Sequence, residues 1–281
     1  MAVARIDNHA LHYEDTGQGS PVLLLHGLGS TGEEWELVVP ELAARHRCIV
    51  PDIRGHGRSD KPAGPYSVPL FARDIAALCD ELGLSSLHVV GLSMGGMIAF
   101  QLAVSRPDLV RSLVIINSGP EMVPRTWQAA LAVAQRLAVV TLFGPRRFAS
   151  MLGPRLFPRP DQAERRIAFE QTVAANDRSA YRRATFGLIG WSVLDRLHEV
   201  VCPVLVLGSE RDYTSAAAKQ LYVDRLGDAR LVEIADSGHL ATLDQPARVL
   251  DETVRFLDEV ERRADEAAED ALAGARGAVA R

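Results

Sequence analysis

The chain has 281 residues, of which 47% are hydrophobic and 24% charged, a length that suits one large α/β domain or two small ones with a sizeable core. The net charge of −5 excludes an overall basic footprint for nucleic acid. The three cysteines show no Cys-x-x-Cys spacing, which argues against a disulfide framework or a zinc site and indicates buried thiols in a reducing cytoplasm. The N-terminus lacks the apolar stretch of a signal peptide, and no run of about 18 apolar residues predicts a membrane span. We therefore expect a cytoplasmic protein that binds neither nucleic acid nor a membrane.

Short apolar runs alternate with helical patterns along the chain. Each run is apolar on both faces, which is typical of parallel strands buried on both sides. The alternation predicts an α/β doubly wound fold, with an antiparallel hairpin leading into it. The predicted strands are 21–27, 46–52, 87–92, 110–117, 203–209 and 229–235. The predicted helices are 34–45, 68–82, 94–105, 215–226 and 245–263.

The alternation breaks off over residues 120–196. This segment is helical in character, is interrupted by Pro and Gly, and is too long for a loop. We predict that it forms a helical cap, or lid, over a core made of residues 1–119 and 197–263. Residues 121–196 contain 12 Arg and no Lys against 6 Asp and Glu, so the cap is positively charged although the whole chain is negative. Residues 264–281 are rich in Ala and charge without an apolar face, and we expect a frayed or disordered tail there.

A serine between two glycines lies where the third predicted strand meets a predicted helix, in Gly91-Leu92-Ser93-Met94-Gly95. In this context Gly-x-Ser-x-Gly is the nucleophile elbow pattern, a sharp turn in which the serine backbone is strained. The hydroxyl is expected at the carboxyl end of the sheet, where open α/β sheets bind ligands. The N-terminus of the following helix favours developing negative charge at that place. The alternative without a catalytic role is a helix N-cap serine between turn glycines.

A serine nucleophile needs a base, and His239 is the best placed of the eight histidines. It directly follows the last predicted strand, which brings it to the same edge of the sheet as Ser93. Asp212 follows the strand before and is expected to orient the imidazole, with Glu210 as the fallback acid. The order Ser93, Asp212, His239 is that of an α/β-hydrolase triad.

An oxyanion hole requires two amide donors near the nucleophile. One is expected from Met94, the residue after Ser93, and the other from Leu28 in the glycine turn after the strand 21–27. His26 and His56 also lie in glycine turns near this edge, where we expect them to shape loops rather than transfer protons.

The stretches HGLG, DIRGHGRSDKP, GLSMGG, SERD and DSGHLATLDQP occur in this order, and with them the chain resembles the α/β-hydrolase superfamily over residues 3–262. Within the superfamily, VAANDRSAYRRATFGLIGWSVLDRL and PAGPYSVPLFARDIAAL look most like the 3-oxoadipate enol-lactonase and small carboxylesterase branch. The resemblance implies the α/β-hydrolase fold, a mostly parallel twisted sheet flanked by helices with an inserted cap. Branches that use an aspartate nucleophile are disfavoured, because the position is Ser93.

The expected function is that of a cofactor-free serine hydrolase, which cleaves a small-molecule carboxylic ester or lactone through an acyl-enzyme. Hydrolysis of a C–C bond, or acyl transfer to an alcohol, would use the same residues. A ligand-binding receptor on the same fold is the alternative from another class. No cofactor-binding or metal-binding residues are expected, because residues 91–96 do not fit a dinucleotide fingerprint and no metal-ligand cluster occurs.

The cap is expected to shape the substrate pocket. Trp127 and Trp191 are candidate pocket residues, and plain packing within the cap accounts for them equally well. An arginine of the cap that reaches the site would favour a substrate with a carboxylate, which Arg binds through paired hydrogen bonds.

Overall fold

The computed structural model describes the backbone of residues 2–279 and the side chains of residues 2–271. One sheet forms its centre, with strands β1 (Ala2–Ile6), β2 (His9–Thr16), β3 (Pro21–Leu25), β4 (Arg47–Pro51), β5 (Leu87–Leu92), β6 (Val110–Ile116), β7 (Val204–Ser209) and β8 (Ala229–Ile234). The order across the sheet is β1-β2-β4-β3-β5-β6-β7-β8. The β1–β2 and β2–β4 pairs are antiparallel and the remaining pairs are parallel. The predicted fold class, a mostly parallel α/β sheet preceded by an antiparallel hairpin, is confirmed.

Helices cover both faces of the sheet. Within the described residues they are α1 (Val39–Leu42), α2 (Val68–Glu81), α3 (Met94–Ser105), α4 (Trp127–Leu156), α5 (Ala163–Ala174), α6 (Arg178–Leu188), α7 (Ala216–Val223), α8 (Ala241–Asp244) and α9 (Pro246–Val279). Successive strand residues point to opposite faces. Leu23 and Leu25 of β3 accordingly pack with α2 and α3, while Val22 and Leu24 pack with α9. The runs that are apolar on both faces are therefore strands between two hydrophobic cores.

The register of the central strands sets the position of the site. Gly91, near the end of β5, is paired with Leu25 of β3 on one side and with Ile115 of β6 on the other. The segments that follow β3, β5, β7 and β8 therefore leave the sheet at one edge, because all four strands run parallel. This is the edge at which open α/β sheets bind ligands.

The helix predicted over 34–45 is wrong in its length. The structure has a 3-10 turn over Gly32–Trp35, capped by the Thr31 side chain, and then the short α1. Pro40 lies at the start of α1, and a proline has no amide to continue a helix from the preceding turn. Trp35 is fully buried between these two pieces and anchors them to the core.

The chain between β6 and β7 contains α4, α5 and α6, and we call residues 120–196 the cap. Helix α4 is not straight, because Gly144 adopts a positive φ of 76° and Pro145 follows it. Among the described residues, α4 is the one helix long and apolar enough to cross a membrane by length and composition. The kink divides it into two shorter pieces. The absence of a membrane partner stays a prediction.

The C-terminal helix α9 runs further than the sequence suggests. A frayed or disordered tail was expected over 264–281, but the helix continues to Val279, and residues 280–281 lie outside the described part. The residues have high helix propensity and include i,i+4 pairs such as Arg262 with Glu266. The side chains of residues 262–271 are all exposed, so this part of the helix stands away from the core.

Candidate active site

Ser93 lies in a strained turn between β5 and α3. Its φ of 52° and ψ of −113° fall outside the regions that a residue with a side chain normally adopts. The turn is tight enough to exclude side chains on either side. A Cβ on Gly91 would stand 2.5 Å from the backbone of Gly95, and a Cβ on Gly95 would overlap the carbonyl of Leu25. The two glycines of the pattern are thus required by close backbone approach, and Ser93 has the geometry of a nucleophile elbow.

The structure brings Ser93, His239 and Asp212 together in one line of contacts. The His239 Nε2 atom lies 3.0 Å from Ser93 Oγ, and His239 Nδ1 lies 2.6 Å from Asp212 Oδ1. With the Nδ1 proton donated to the carboxylate, Nε2 is free to accept the serine proton. Asp212 is almost fully buried, while His239 keeps one edge accessible. The arrangement can make Ser93 nucleophilic.

Asp212 has a second partner that no sequence motif indicates. Lys219, on α7, places its Nζ atom 2.5 Å from Asp212 Oδ2 and also donates to the Thr214 carbonyl. Burial alone would raise the pKa of Asp212, but the hydrogen bonds from His239 and Lys219 hold it below its ordinary value. The carboxylate is therefore charged and fixed at both oxygens. Lys219 follows Asp212 by seven residues, and this spacing matches no motif, so the contact could not be predicted from the sequence.

The fallback acid Glu210 does not reach the imidazole. Its Oε2 accepts a hydrogen bond from the Asp236 amide at 2.8 Å, on the outer side of the loop.

Asn117, after β6, has a supporting position that no sequence motif indicates. It donates from Nδ2 to the His239 carbonyl at 2.9 Å and accepts the Ser209 amide at Oδ1. Asn117 thus ties the end of β7 to the loop that carries His239.

The two expected oxyanion donors flank Ser93. Met94 is the first residue of α3, and Leu28 lies in the turn that follows β3, where Gly29 adopts a φ of 82°. Among the hydrogen bonds of the described turns, loops and caps, neither the Leu28 amide nor the Met94 amide has an acceptor. Both amides are therefore available to a ligand atom.

The turn that carries Leu28 is fixed at Gly27 from two sides. The Gly27 amide donates to Glu34 Oε2 at 2.7 Å, and His26 Nδ1 lies 2.8 Å from the Gly27 carbonyl. His26 Nε2 accepts the Ile53 amide, which is the pattern of a neutral imidazole. Burial lowers the pKa of His26, in agreement with this state. Burial also raises the pKa of Glu34 to about 7, although the Gly27 and Ser30 hydrogen bonds oppose it.

A cavity of about 780 Å³ lies above Ser93, between the sheet edge and the cap. Leu28 and His239 line its floor together with Ser93, and the Tyr213 ring lies against the imidazole at 4.4 Å between centroids. The other aromatic residues of the wall are Phe148, Phe169, Tyr181 and Tyr222. The wall is largely apolar, as is usual for a small-molecule site.

The expectation that Trp127 and Trp191 line the pocket is wrong. Trp127 starts α4 and is 72% exposed, pointing away from the cavity. Trp191 is buried in the core below the cap and donates from Nε1 to Gln101 Oε1 at 2.9 Å. Trp127 faces solvent because of how α4 is rotated, and Trp191 lies in the segment that follows α6. Tryptophan content reveals neither position. Among the side chains that are described, no group of three His, Cys, Asp or Glu could bind a metal ion.

A mostly parallel sheet with a nucleophile elbow at its carboxyl edge defines the class of α/β hydrolases. A model of the alpha/beta hydrolase family matches residues 22–252. The chain therefore belongs to the alpha/beta hydrolase family, and the superfamily predicted from the sequence motifs is confirmed.

Relatives within this family differ in what their names describe. A putative carbamate hydrolase, RutD, of Azorhizobium caulinodans is 30% identical over 82% of this chain and 88% of its own. A thermophilic esterase from Thermogutta terrifontis is 30% identical, with a TM-score of 0.82 over 90% of this chain and 94% of the esterase. The enol-lactonase of Burkholderia xenovorans LB400 is 24% identical, with a TM-score of 0.83 over 92% of this chain and all 100% of the enzyme, and shares the fold.

Proposed function

We propose that this protein is a serine hydrolase that cleaves a carboxylic ester or lactone through an acyl-enzyme. The observation that carries the proposal is the continuous contact from Ser93 Oγ through His239 to Asp212, with distances of 3.0 and 2.6 Å. A strained serine in contact with an oriented imidazole has few uses other than nucleophilic catalysis. The proposal assigns Ser93 as nucleophile, His239 as base and Asp212 as the orienting acid.

The reaction would proceed in two halves. Ser93 Oγ attacks the carbonyl carbon while His239 Nε2 takes its proton, and Asp212 stabilises the imidazolium. The oxyanion is stabilised by the amides of Leu28 and Met94, and such donors are typically worth about 3 kcal/mol each. The tetrahedral intermediate collapses, His239 gives its proton to the leaving oxygen, and the acyl group remains on Ser93.

Water completes the reaction. His239 Nε2 removes a proton from a water molecule, whose oxygen attacks the acyl-enzyme, and the same proton returns to Ser93 as the acid leaves. No step requires a cofactor or a metal, and we propose that the enzyme uses neither. We also propose that it acts in the cytoplasm on a small molecule.

A carbamate is the second candidate substrate. Two putative carbamate hydrolases named RutD support it, one 30% identical over 82% of this chain and one from Variovorax paradoxus 33% identical over 84%. The same triad would attack the carbamate carbonyl, so the triad does not separate the two classes. The esterase from Thermogutta terrifontis is also 30% identical, over 90% of this chain, so sequence identity supports an ester about as well as a carbamate.

The test is a panel of p-nitrophenyl esters, lactones and carbamates assayed with the wild type and with Ser93→Ala. Loss of hydrolysis in Ser93→Ala with an unchanged circular dichroism spectrum supports the proposal. A fluorophosphonate probe should label Ser93 in the wild type and in the control variant Ser150→Ala, whose serine is exposed on the cap. Labelling at another serine, with activity retained in Ser93→Ala, would overturn the assignment. The ranking of the three substrate classes decides between ester, lactone and carbamate.

A further inference from the structure

We propose that Arg136 of the cap is a carboxylate-binding subsite. The cavity would then accept an ester or lactone that also carries a free, negatively charged carboxyl group. This inference rests on the proposed ester or lactone hydrolysis and names the substrate class within it. It also identifies which of the 12 cap arginines would act on the substrate.

Arg136 lies on the inner side of α4 and lines the same cavity as Ser93 and His239. Its Nε atom is buried and has no hydrogen-bond partner, which is costly for a charged donor unless a ligand supplies the acceptor. Glu33, Glu34, Glu36 and Glu121 also line the cavity. None of these carboxylates, nor any other among the described residues, forms an ion pair with Arg136. Within the described part of the chain, Arg136 is therefore a cation of the cavity without an ion-pair partner.

The other arginines of the cap are engaged or point outward. Arg125 pairs with Glu121 at 2.5 Å, and Arg159 pairs with Asp236 at 2.6 Å. Arg178 donates to carbonyls of α4, and Arg183 stacks on the Tyr66 ring. None of these four lines the cavity, whereas Arg136 does. The positive charge of the cap reaches the substrate space at Arg136.

The surroundings of Arg136 are built to hold the guanidinium group in place. Its Cζ atom lies 5.0 Å from the centre of the Phe148 ring, a stacking distance for a cation on an aromatic face. Burial raises the pKa of Tyr181, while the charge and hydrogen bond of Arg136 oppose the rise, which places the two groups side by side. A guanidinium group has five N–H donors, so the hydrogen bond to Tyr181 leaves others, Nε–H among them, for a planar acceptor.

The same aromatic residue connects Arg136 to the reacting centre. Tyr181 packs against the oxyanion turn so closely that a Cβ on Gly29 would stand 2.7 Å from its ring. Arg136 therefore lies on the cap side of the cavity and is linked through Tyr181 to the turn that carries Leu28. A substrate whose carbonyl oxygen lies in the proposed oxyanion hole would extend its other end toward Arg136. A carboxylate at that end can form paired charged hydrogen bonds with the guanidinium group.

The test compares monoaryl esters of dicarboxylic acids with their neutral methyl diesters. Mono-p-nitrophenyl succinate, glutarate, adipate and pimelate vary the distance between the scissile carbonyl and the second carboxyl group. For the best chain length, we expect the free acid to exceed its methyl ester in kcat/KM by at least about tenfold, the effect of one charged hydrogen bond of ordinary strength. In Arg136→Met this ratio should fall to near one, and Arg136→Lys should retain part of it. Arg182→Met, on the exposed side of α6, is the matched control and should keep the wild-type ratio.

The inference is overturned if the wild type treats free acid and methyl ester alike, or if Arg136→Met and Arg182→Met give the same ratio. A failure of the proposed function looks different, because then no aryl ester is cleaved and Ser93 is not labelled. In that case glutarate binding still tests the subsite. Glutarate should raise the melting temperature of Ser93→Ala and not that of Ser93→Ala/Arg136→Met, and equal shifts would again overturn it.

Discussion

Lys219 and Asp212 form a buried ion pair within the candidate triad. The ammonium group is fully buried, the carboxylate is 2% exposed, and 2.5 Å separates Nζ from Oδ2. The other carboxylate oxygen accepts from His239 at 2.6 Å, so a single anion is shared by two nitrogen donors. An ammonium group without water must be paired and hydrogen-bonded, and here Asp212 and the Thr214 carbonyl satisfy it. We infer that Lys219 helps to hold the Asp212 carboxylate in place against His239.

Replacement of Lys219 should weaken the hold on Asp212. In Lys219→Met one carboxylate oxygen loses its donor, and the pKa of Asp212 loses one of the interactions that keep it below its ordinary value. The imidazole of His239 is then oriented less precisely, and we expect kcat to fall by roughly tenfold or more. Lys61→Met alters the other lysine of the chain, which is exposed, and should keep the wild-type kcat. A loss of stability with an unchanged kcat would show that Lys219 serves the fold alone.

Asp212→Asn should be far more damaging than Glu210→Gln. An asparagine cannot hold the Nδ1 proton in the same way, and this change costs roughly 10⁴ in kcat in the serine-protease template. Glu210 bonds only to the Asp236 amide, which a glutamine oxygen can also accept, so a small change is expected. Both variants should be assayed on one activated ester. The opposite ranking would mean that the loop rearranges and that Glu210 is the acid.

Glu34 should make the stability of the protein fall between mildly acidic and neutral pH. Burial raises the pKa of this carboxyl from 4.5 to about 7, so the folded state keeps the proton to a higher pH than the unfolded state. This contribution to stability is fully present below pH 4.5 and is lost as the pH rises to about 7. The loss amounts to roughly 3 kcal/mol at its largest, since one pKa unit corresponds to about 1.36 kcal/mol.

Glu34→Gln removes this titration and keeps an oxygen that can accept the Gly27 amide. The free energy of unfolding of Glu34→Gln, minus that of the wild type, should be larger at pH 8 than at pH 5. The measurement is chemical denaturation of both proteins at both pH values. A difference in stability that is the same at pH 5 and pH 8 would contradict the buried ionisation of Glu34.

Removal of residues 265–281 should affect the protein little. The described side chains of this segment, up to residue 271, are exposed, and the cut leaves the pair between Arg263 and Glu259 intact. We expect the free energy of unfolding to change by less than about 1 kcal/mol, as for surface changes in general. Thermal denaturation and kcat/KM of the shortened chain test this. A larger loss would mean that the end of α9 packs against another part of the protein or another copy.

Local features of the sequence were sufficient to predict most of the fold and the close approach of Ser93, His239 and Asp212 at the candidate site. The parallel strands could be predicted from short runs that are apolar at successive positions. Successive residues of a strand point to opposite faces, so a strand covered by helices on both sides needs an apolar residue at each position. Ser93 could be recognised because the tight turn has room only for glycine at positions 91 and 95. This requirement is visible in the five consecutive residues 91–95. Asp212 and His239 could be assigned because parallel strands end at one edge, so that residues following different strands must meet there.

Tertiary packing alone decided which other side chains reach the site. Trp127 and Arg136 are nine residues apart on α4 and therefore lie on opposite faces of that helix. Only the packing of α4 over the site decides that the tryptophan faces solvent and the arginine faces the cavity. Lys219 reaches Asp212 because α7 packs against β7, a contact that no motif encodes. Periodicity can indicate which face of a helix is apolar. Helix α4 is apolar along much of its length, so its sequence does not show which face meets solvent and which meets the cavity. The choice between them depends on the sum of contacts from elements distant in the sequence, and only the folded structure contains that sum.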